Sequence, residues 1–386
     1  MNHKALVLGT NYYIGLSVLR SLKKHGVSTV AVDYDQKTAY ANRSNTVDEI
    51  LIVPHYGKYA QACCDALIRY AQSQSHKPVL FPCADQYVAF IDRFFYQLKP
   101  HFLFQYQTQG LASRLMNKDS FATIAKQHHI QIPLTYSIKD HDLIEKIDAV
   151  GYPWIIKGVD SSVYVSTFRV KLHQINDKDQ LIAHLDQLTQ KNIDAVAQQM
   201  IVGFDDHMLT YDAYLDKNHQ VTHAITCQKV RQYPINYGAS VMTTIVYEPQ
   251  LHKIGKSFLE AVKWNGFAEL EFKKDARTHE LYMIEMNVRT TNFNQMLTHV
   301  GLNFPYIMYC ELTGEPIIPK SITHNIHVAF VYGYENLLAL KDYIKTGQMT
   351  WSRLLIPFRY KKVTAIWSWS DPKPFFAFVK ILFDKA

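Results

Sequence analysis

Two short segments concentrate groups able to handle charge. AELEFKKD carries Glu269 and Glu271, and YMIEMNVR carries Glu285, Asn287 and Arg289. In an extended chain residues i and i+2 share a face. Glu269 and Glu271 therefore project together, as do Glu285, Asn287 and Arg289, with Leu270, Phe272, Ile284 and Met286 opposite. Carboxylates gathered on one face need a compensating charge if they are withdrawn from water. A divalent cation meets that need: magnesium is held by one or two carboxylates and leaves its other positions to phosphate oxygens and water. A solvated polar face on an amphipathic hairpin is the alternative, and these residues alone leave both open.

Cations elsewhere favour an anionic ligand. Lys157 ends an apolar run, PWIIK, where an unmatched charge is costly, and a phosphate would meet it. Lys118 opens the helical segment 117–128; alone it reads as a solvated lysine, yet it too can reach phosphate. The strand-like QQMI, Gln198 to Ile201, can offer backbone donors and acceptors to a base edge, with Asp205 and Asp206 close behind for a ribose hydroxyl.

These segments need a scaffold, and the pattern predicts one. Apolar runs at 4–9, 28–33, 49–53 and 78–82 alternate with helical segments at 14–26 and 59–74, as expected of a parallel, doubly wound sheet. Beyond a turn near Gly110, strands are expected at 153–157, 164–171, 194–201 and 208–215, with a helix at 178–189. Runs 266–273 and 280–286 form a pair of neighbouring strands turning at 275–279. From about Pro319 the pattern weakens into a smaller C-terminal unit. At 386 residues, 48% hydrophobic and 19% charged, the chain is long enough for two or three domains and is not of disordered composition.

The net charge of +7 comes without a Lys/Arg run, which argues against a nucleic-acid role. Five cysteines with no C-x-x-C spacing fit reduced, buried residues in a cytoplasmic protein better than a disulfide framework or zinc site. No stretch is long enough to span a bilayer. The apolar C-terminal run PFFAFVKILFDKA suits packing on its own domain, with weak contact to a membrane surface as the alternative.

A rival reading starts from Gly9, Gly15 and Asp33, placed where a dinucleotide-binding protein keeps its glycines and ribose-binding acid; this would make the chain an NAD(P)-dependent oxidoreductase. In GTNYYIG the middle glycine position is Asn11, so close backbone approach to a pyrophosphate is not provided. A tight strand-to-helix turn is the preferred reading. Asp85, after the strand 78–82, either faces a ligand or caps a helix.

From about Leu115 to Glu311 the chain resembles the ATP-grasp superfamily, in its carboxylate–amine ligase branch, which includes bacterial D-aspartate ligases. The resemblance rests on Lys157 after YPWII, on AQQMIVGFDD, on KVRQYP, and most specifically on AELEFKKD with LYMIEMNVR. It implies a mixed α/β and α+β fold: a Rossmann-like domain over 1–110, a two-lobed ATP-grasp domain over 111–318 (111–200 and 201–318), and an α/β extension over 319–386. It further implies ATP and two magnesium ions as cofactors, with Glu271, Glu285 and Asn287 as metal ligands. Arg289, Lys229 and Arg231 would act on the reacting groups. Lys118, Lys157, Ser161 and Ser162 would hold phosphates, the backbone of Gln199, Met200 and Ile201 the adenine, and Asp205 or Asp206 the ribose.

The implied reaction joins a carboxylate and an amine through an acyl phosphate, with D-aspartate added to a cell-wall precursor or to another amino acid as candidate outcomes. The partners would be small molecules and a second copy of the chain. A protein that keeps the nucleotide site but not the reaction is a further alternative. One departure stands out: the loop after Lys157, usually glycine-rich, reads GVDSSVYVSTF with Gly158 alone.

Overall fold

The computed structural model describes residues 2–159, 161–170 and 172–384. The chain packs as two compact units: one comprises Met1–His129, Asp205–Phe272 and Glu285–Ala386, the other Ile130–Phe204 and Lys273–Ile284.

The first unit opens with four parallel strands, β1 (Ala5–Leu8), β2 (Thr29–Asp33), β3 (Glu49–Ile52) and β4 (Val79–Pro82), in the order β3-β2-β1-β4. β1, β2 and β4 are buried along their whole length, and their sequences are apolar apart from Thr29 and Asp33 at the two ends of β2. β3 lies at the edge, and there Ile50 and Ile52 are exposed. Between β1 and the helix Tyr13–Lys23 the chain turns at Gly9, whose φ is +94°. A Cβ on Gly15 would come within 2.4 Å of the Gly9 carbonyl oxygen, so both glycines serve this tight turn. Asp33 is buried and accepts from the backbone N–H of Asn11 at 2.9 Å and of Tyr34 at 2.8 Å. Its carboxylate is engaged in holding the turn.

A larger sheet is built from β9 (Met208–Leu215), β10 (Val221–Tyr233), β11 (Ala239–Ile245), β12 (Gly266–Lys274), β13 (Leu281–Asn287), β15 (Ile326–Val331) and β16 (Lys361–Thr364), all in the first unit except the last two residues of β12 and the first four of β13. Their order is β13-β12-β9-β10-β11-β15-β16, and the two-residue β14 (Lys320–Ser321) pairs with β10. The C-terminal region thus extends this sheet with two parallel strands, β15 and β16. Its last helix, Lys373–Phe383, packs Phe375, Ala377, Phe378 and Ile381 against the unit's core, with the Phe378 ring 5.3 Å from that of Tyr40. Asp371, just ahead of that helix, accepts from Arg20 Nε at 2.9 Å and from Ser44 Oγ at 2.6 Å. Among the described residues no helix is long and apolar enough to cross a membrane. All five cysteines are buried free thiols.

The second unit holds an antiparallel sheet of β5 (Thr135–Ser137), β6 (Trp154–Gly158), β7 (His173–Ile175) and β8 (Ala195–Gln199), ordered β5-β8-β6-β7. Here one expectation fails. The run 164–171, read as a strand from its alternating β-branched residues, is mostly helix: Ser161–Phe168. Tertiary packing overrides local propensity. Tyr164 is fully buried, and its hydroxyl lies 2.8 Å from His173 Nδ1 and 2.9 Å from His184 Nε2, a contact that a strand at this position would not make. The side chains of Ser161 and Ser162, expected to hold phosphate, lie outside the described residues, as do Asp160 and Lys171.

Candidate active site

β12 and β13 are neighbours at one end of the large sheet, and that adjacency brings their polar faces together. Asn287 is the meeting point. Its amide nitrogen donates to Glu269 Oε1 at 2.9 Å and lies 3.4 Å from Glu285 Oε1 and 3.5 Å from Glu271 Oε1. Glu269 is buried and also accepts from the Thr291 hydroxyl. Glu271, equally buried, is joined by Lys229 Nζ at 2.5 Å, reaching across from β10. Repulsion from Glu271 pushes the Glu285 carboxyl above its ordinary range, and burial adds to it, while Lys229, Lys118 and Arg289 pull the other way. Burial likewise raises Glu271 against the opposing pull of Lys229. Burial opposes the Lys229 charge, but Glu271 and Glu269 overcome it and hold the ammonium protonated.

This arrangement retains more negative charge than its internal cations comfortably balance. Among the described residues, no three His, Cys, Asp or Glu side chains form a metal cage of their own. Glu269 is tied to Asn287 and Thr291, which leaves Glu271, Glu285 and the Asn287 amide as an oxygen-rich partial set. That set fits magnesium, which keeps positions for water and phosphate.

Arg289 extends from the end of β13, and its Nε donates to Asp85 Oδ1 at 2.7 Å. Asp85 begins the helix Asp85–Arg93, whose N-cap is Ala84, so its carboxylate serves Arg289 and is not the cap. The guanidinium pKa moves up because Asp85, Glu269 and Glu285 outweigh the burial that would lower it.

Other expected residues fall elsewhere. Arg231 does not join the carboxylates: its guanidinium bonds Asn336 Oδ1 at 3.2 Å and the Arg353 carbonyl at 2.9 Å. The cause is a pair of register shifts in β10 on either side of Arg231, which break the i, i+2 alternation linking it to Lys229. Asp205 is buried, accepting from the Tyr343 hydroxyl and from Asn236 N–H at 3.2 Å, and so holds the sheet to the helix Gly333–Lys345. Asp206 remains partly exposed, its Oδ2 lying 3.8 Å from Arg353 Nε.

In the second unit Lys157 lies on β6 with its Nζ 3.0 Å from Gln198 Oε1. Gln199 N–H is bonded to the Leu134 carbonyl at 2.8 Å and Met200 N–H to the Pro153 carbonyl at 3.2 Å, so both donors serve the sheet. Ile201 follows with a buried side chain.

Sequence reasoning missed two supports. Asp212, in the middle of β9, is completely buried; burial, then Glu269 and Glu271, drive its carboxyl well above the ordinary range. Thr210 Oγ1 donates to its Oδ2 at 2.7 Å, while Oδ1 has no partner among the described residues. An acid inside the otherwise apolar strand MLTYDAYL was the available signal. Gln105 is the second: its amide nitrogen donates to the Val288 carbonyl at 2.7 Å and its oxygen accepts from Phe267 N–H at 2.8 Å, clamping β12 to the end of β13. An isolated glutamine between aromatic residues carries no readable signal for such a role.

Solved structures share this architecture. The biotin carboxylase domain of Hydrogenobacter thermophilus 2-oxoglutarate carboxylase, in complex with MgADP, ADP and bicarbonate, matches 85% of this chain and 74% of its own length with a TM-score of 0.60 at 15% identity. Phosphoribosylglycinamide synthetase from Anaerococcus prevotii matches 82% and 76% with a TM-score of 0.61, also at 15% identity. The chain has the ATP-grasp fold.

A third ATP-grasp structure, N5-carboxyaminoimidazole synthetase from Staphylococcus aureus complexed with ADP, matches 83% of this chain and 79% of its own with a TM-score of 0.57 at 14% identity. In sequence the chain is similar to the D-aspartate ligase of Enterococcus faecium: 24% identity over 276 residues, 68% of this chain. The chain spans 65% of that relative's length. No family model matches the sequence.

Proposed function

We propose that the protein is an ATP-dependent, magnesium-requiring ligase that joins a carboxylate to an amine by way of an acyl phosphate. The observation that carries this reading is the convergence of Glu269, Glu271 and Glu285 on the Asn287 amide nitrogen from two adjacent strands. The ATP-grasp fold and the similarity to a D-aspartate ligase support it.

In this reading Glu271, Glu285 and Asn287 hold magnesium, which when bound draws charge from the nucleotide's terminal phosphates. Arg289, steadied by Asp85, meets the charge that develops on the transferred phosphoryl group and then on the acyl phosphate. Lys229 pairs with Glu271 and draws its carboxyl towards the ionised form against the effect of burial. Lys118 and Lys157 neutralise phosphates, the chain at Met200 and Ile201 meets the adenine, and Asp206 rather than Asp205 serves the ribose. No side-chain nucleophile is required, because the substrate carboxylate is itself the attacking group. The division into segments 1–110, 111–318 and 319–386 belongs to the same proposal. D-Aspartate is the first carboxylate to try.

The test is phosphate release from ATP across a panel of amino acids and simple acids, together with melting in the presence of ADP and magnesium. Release that depends on both a carboxylate and magnesium, and a higher melting temperature with MgADP, are the expected results. A shift with NAD(P)H and none with MgADP would overturn the reading. So would nucleotide binding without turnover on any acid, which leaves a nucleotide-binding protein that has lost the reaction.

A further inference from the structure

The last helix, Lys373–Phe383, has a second face that the fold leaves uncovered. Phe375, Ala377, Phe378 and Ile381 turn inward onto the core. Lys373, Phe376, Lys380 and Phe383 follow one another at spacings of three, four and three residues, which lines them up in one stripe on a helix. All four are exposed, Phe376 at 61% and Phe383 at 77%. Neither lysine has an ion pair among the described residues. Trp369 extends the apolar part of the stripe. It is 87% exposed, and its ring meets Trp367 edge-on at 5.0 Å, while Trp367 meets Phe376 at 6.2 Å.

The neighbouring helix Gly333–Lys345 repeats the pattern. Tyr334, Leu337, Lys341 and Ile344 are exposed at the same spacing, and the Tyr334 ring lies 5.9 Å from Phe378. Among the described residues, every exposed Phe and Trp lies between Trp351 and Phe383. Charge is concentrated there too: residues 341–386 hold nine Lys or Arg against three Asp, which is six of the chain's net +7.

Large aromatic side chains gathered on a water-facing surface mark a docking site. A partner that takes both the rings and the ammonium groups must offer an apolar layer beneath a layer of negative charge. An anionic lipid surface does so. Phe and Trp enter the boundary between headgroups and acyl chains, while lysine stems lie along apolar surface and carry their charge to the phosphates. A second copy of the chain presents the same positive excess and is repelled. With 11 residues the helix is too short to cross a bilayer, so it lies in the surface.

We propose that the outward face of Lys373–Phe383, together with Trp369, docks on an anionic lipid surface. Packing on its own domain and contact with a membrane then belong to opposite faces of one helix.

The test is co-sedimentation of the full chain, without nucleotide, with two kinds of vesicle: phosphatidylcholine alone, and phosphatidylcholine with phosphatidylglycerol in equal parts. Binding to the mixed vesicles only, weakening as salt is raised, is the expected result. Lys373→Gln with Lys380→Gln should weaken it about 30-fold, since each lysine near such a surface contributes about fivefold. Trp369→Ser with Phe383→Ser should weaken it at least about tenfold by removing rings that enter the boundary. All four side chains are exposed, so both double variants should keep the wild-type melting temperature. If the aromatic variant melts early, the lysine variant decides alone. Equal binding to both kinds of vesicle, binding to neither, or mixed-vesicle binding unchanged in the variants overturns the proposal. So does dimerisation without vesicle binding that Trp369→Ser with Phe383→Ser abolishes, which gives the face to a second copy.

Discussion

Lys229 Nζ lies 2.5 Å from Glu271 Oε2, a buried ion pair between β10 and β12, with β9 between them in the sheet. Breaking one side strands the other charge in the interior. Lys229→Met is expected to destabilise the protein by about 3–5 kcal/mol, the usual cost of leaving a buried partner unpaired. The double variant Lys229→Met, Glu271→Gln should recover much of that loss. A urea-unfolding double-mutant cycle checks both, and additive losses would remove the pair from the account.

Glu285 and Glu271 both approach the Asn287 amide nitrogen, at 3.4 Å and 3.5 Å, and repulsion from Glu271 is the largest influence raising Glu285. Glu285→Gln should therefore fold with unchanged or higher stability in the absence of ligand. Phosphate release should fall at least about 100-fold, as when a group positioned for transition-state charge is removed. The MgADP melting shift should shrink in parallel. Wild-type turnover in this variant would exclude Glu285 as a magnesium ligand.

The hydroxyl of Tyr164 joins His173 and His184 inside the second unit. Burial, with the neighbouring His173, lowers His184 to about 4, and burial lowers His173 as well. Both imidazoles are thus neutral in the folded state at a pH where unfolded histidine begins to charge. Their contribution to stability is complete above the ordinary histidine value of about 6.5 and is lost as pH falls from there towards about 4. Amide exchange in residues 130–204 should accelerate across that window. His184→Gln should flatten the dependence, and an unchanged profile would assign it elsewhere.

Arg20 and Asp371 pair at 2.9 Å with side chains 8% and 4% exposed, and Asp371 also receives Ser44 Oγ and Asn45 N–H. This single acid fastens the segment that leads into the helix Lys373–Phe383. Asp371→Ala should cost about 3–5 kcal/mol by leaving Arg20 buried and unpaired. Limited proteolysis should then cut first near residues 366–384. Cleavage elsewhere, with the C-terminal helix still protected, would count against that anchoring role.

Much of the site was legible because it lies on strands. The alternation in AELEFKKD and YMIEMNVR places Glu269, Glu271, Glu285 and Asn287 on one face, and the short turn between the segments makes their strands neighbours. The parallel N-terminal sheet was legible because its strands read as short apolar runs separated by helical segments. That Arg231 lies apart from the carboxylates was not legible, because a bulge is a tertiary decision: β10 shifts register against β11 on either side of Arg231, whose side chain bonds Asn336. The helix Ser161–Phe168 was misread because its sequence favours a strand until Tyr164 finds two histidines that only the folded unit supplies.

The sequence by itself determined the periodicities, the acids and cations available, and the strand faces that carry them, because side-chain direction along a strand follows from backbone geometry alone. Only the tertiary structure decided which charges meet. Lys229 comes to Glu271, Asp85 to Arg289 across 204 residues, and Asp212 within electrostatic reach of both glutamates of β12. Such pairings depend on sheet order and on how much water burial removes, and neither quantity is local in the chain.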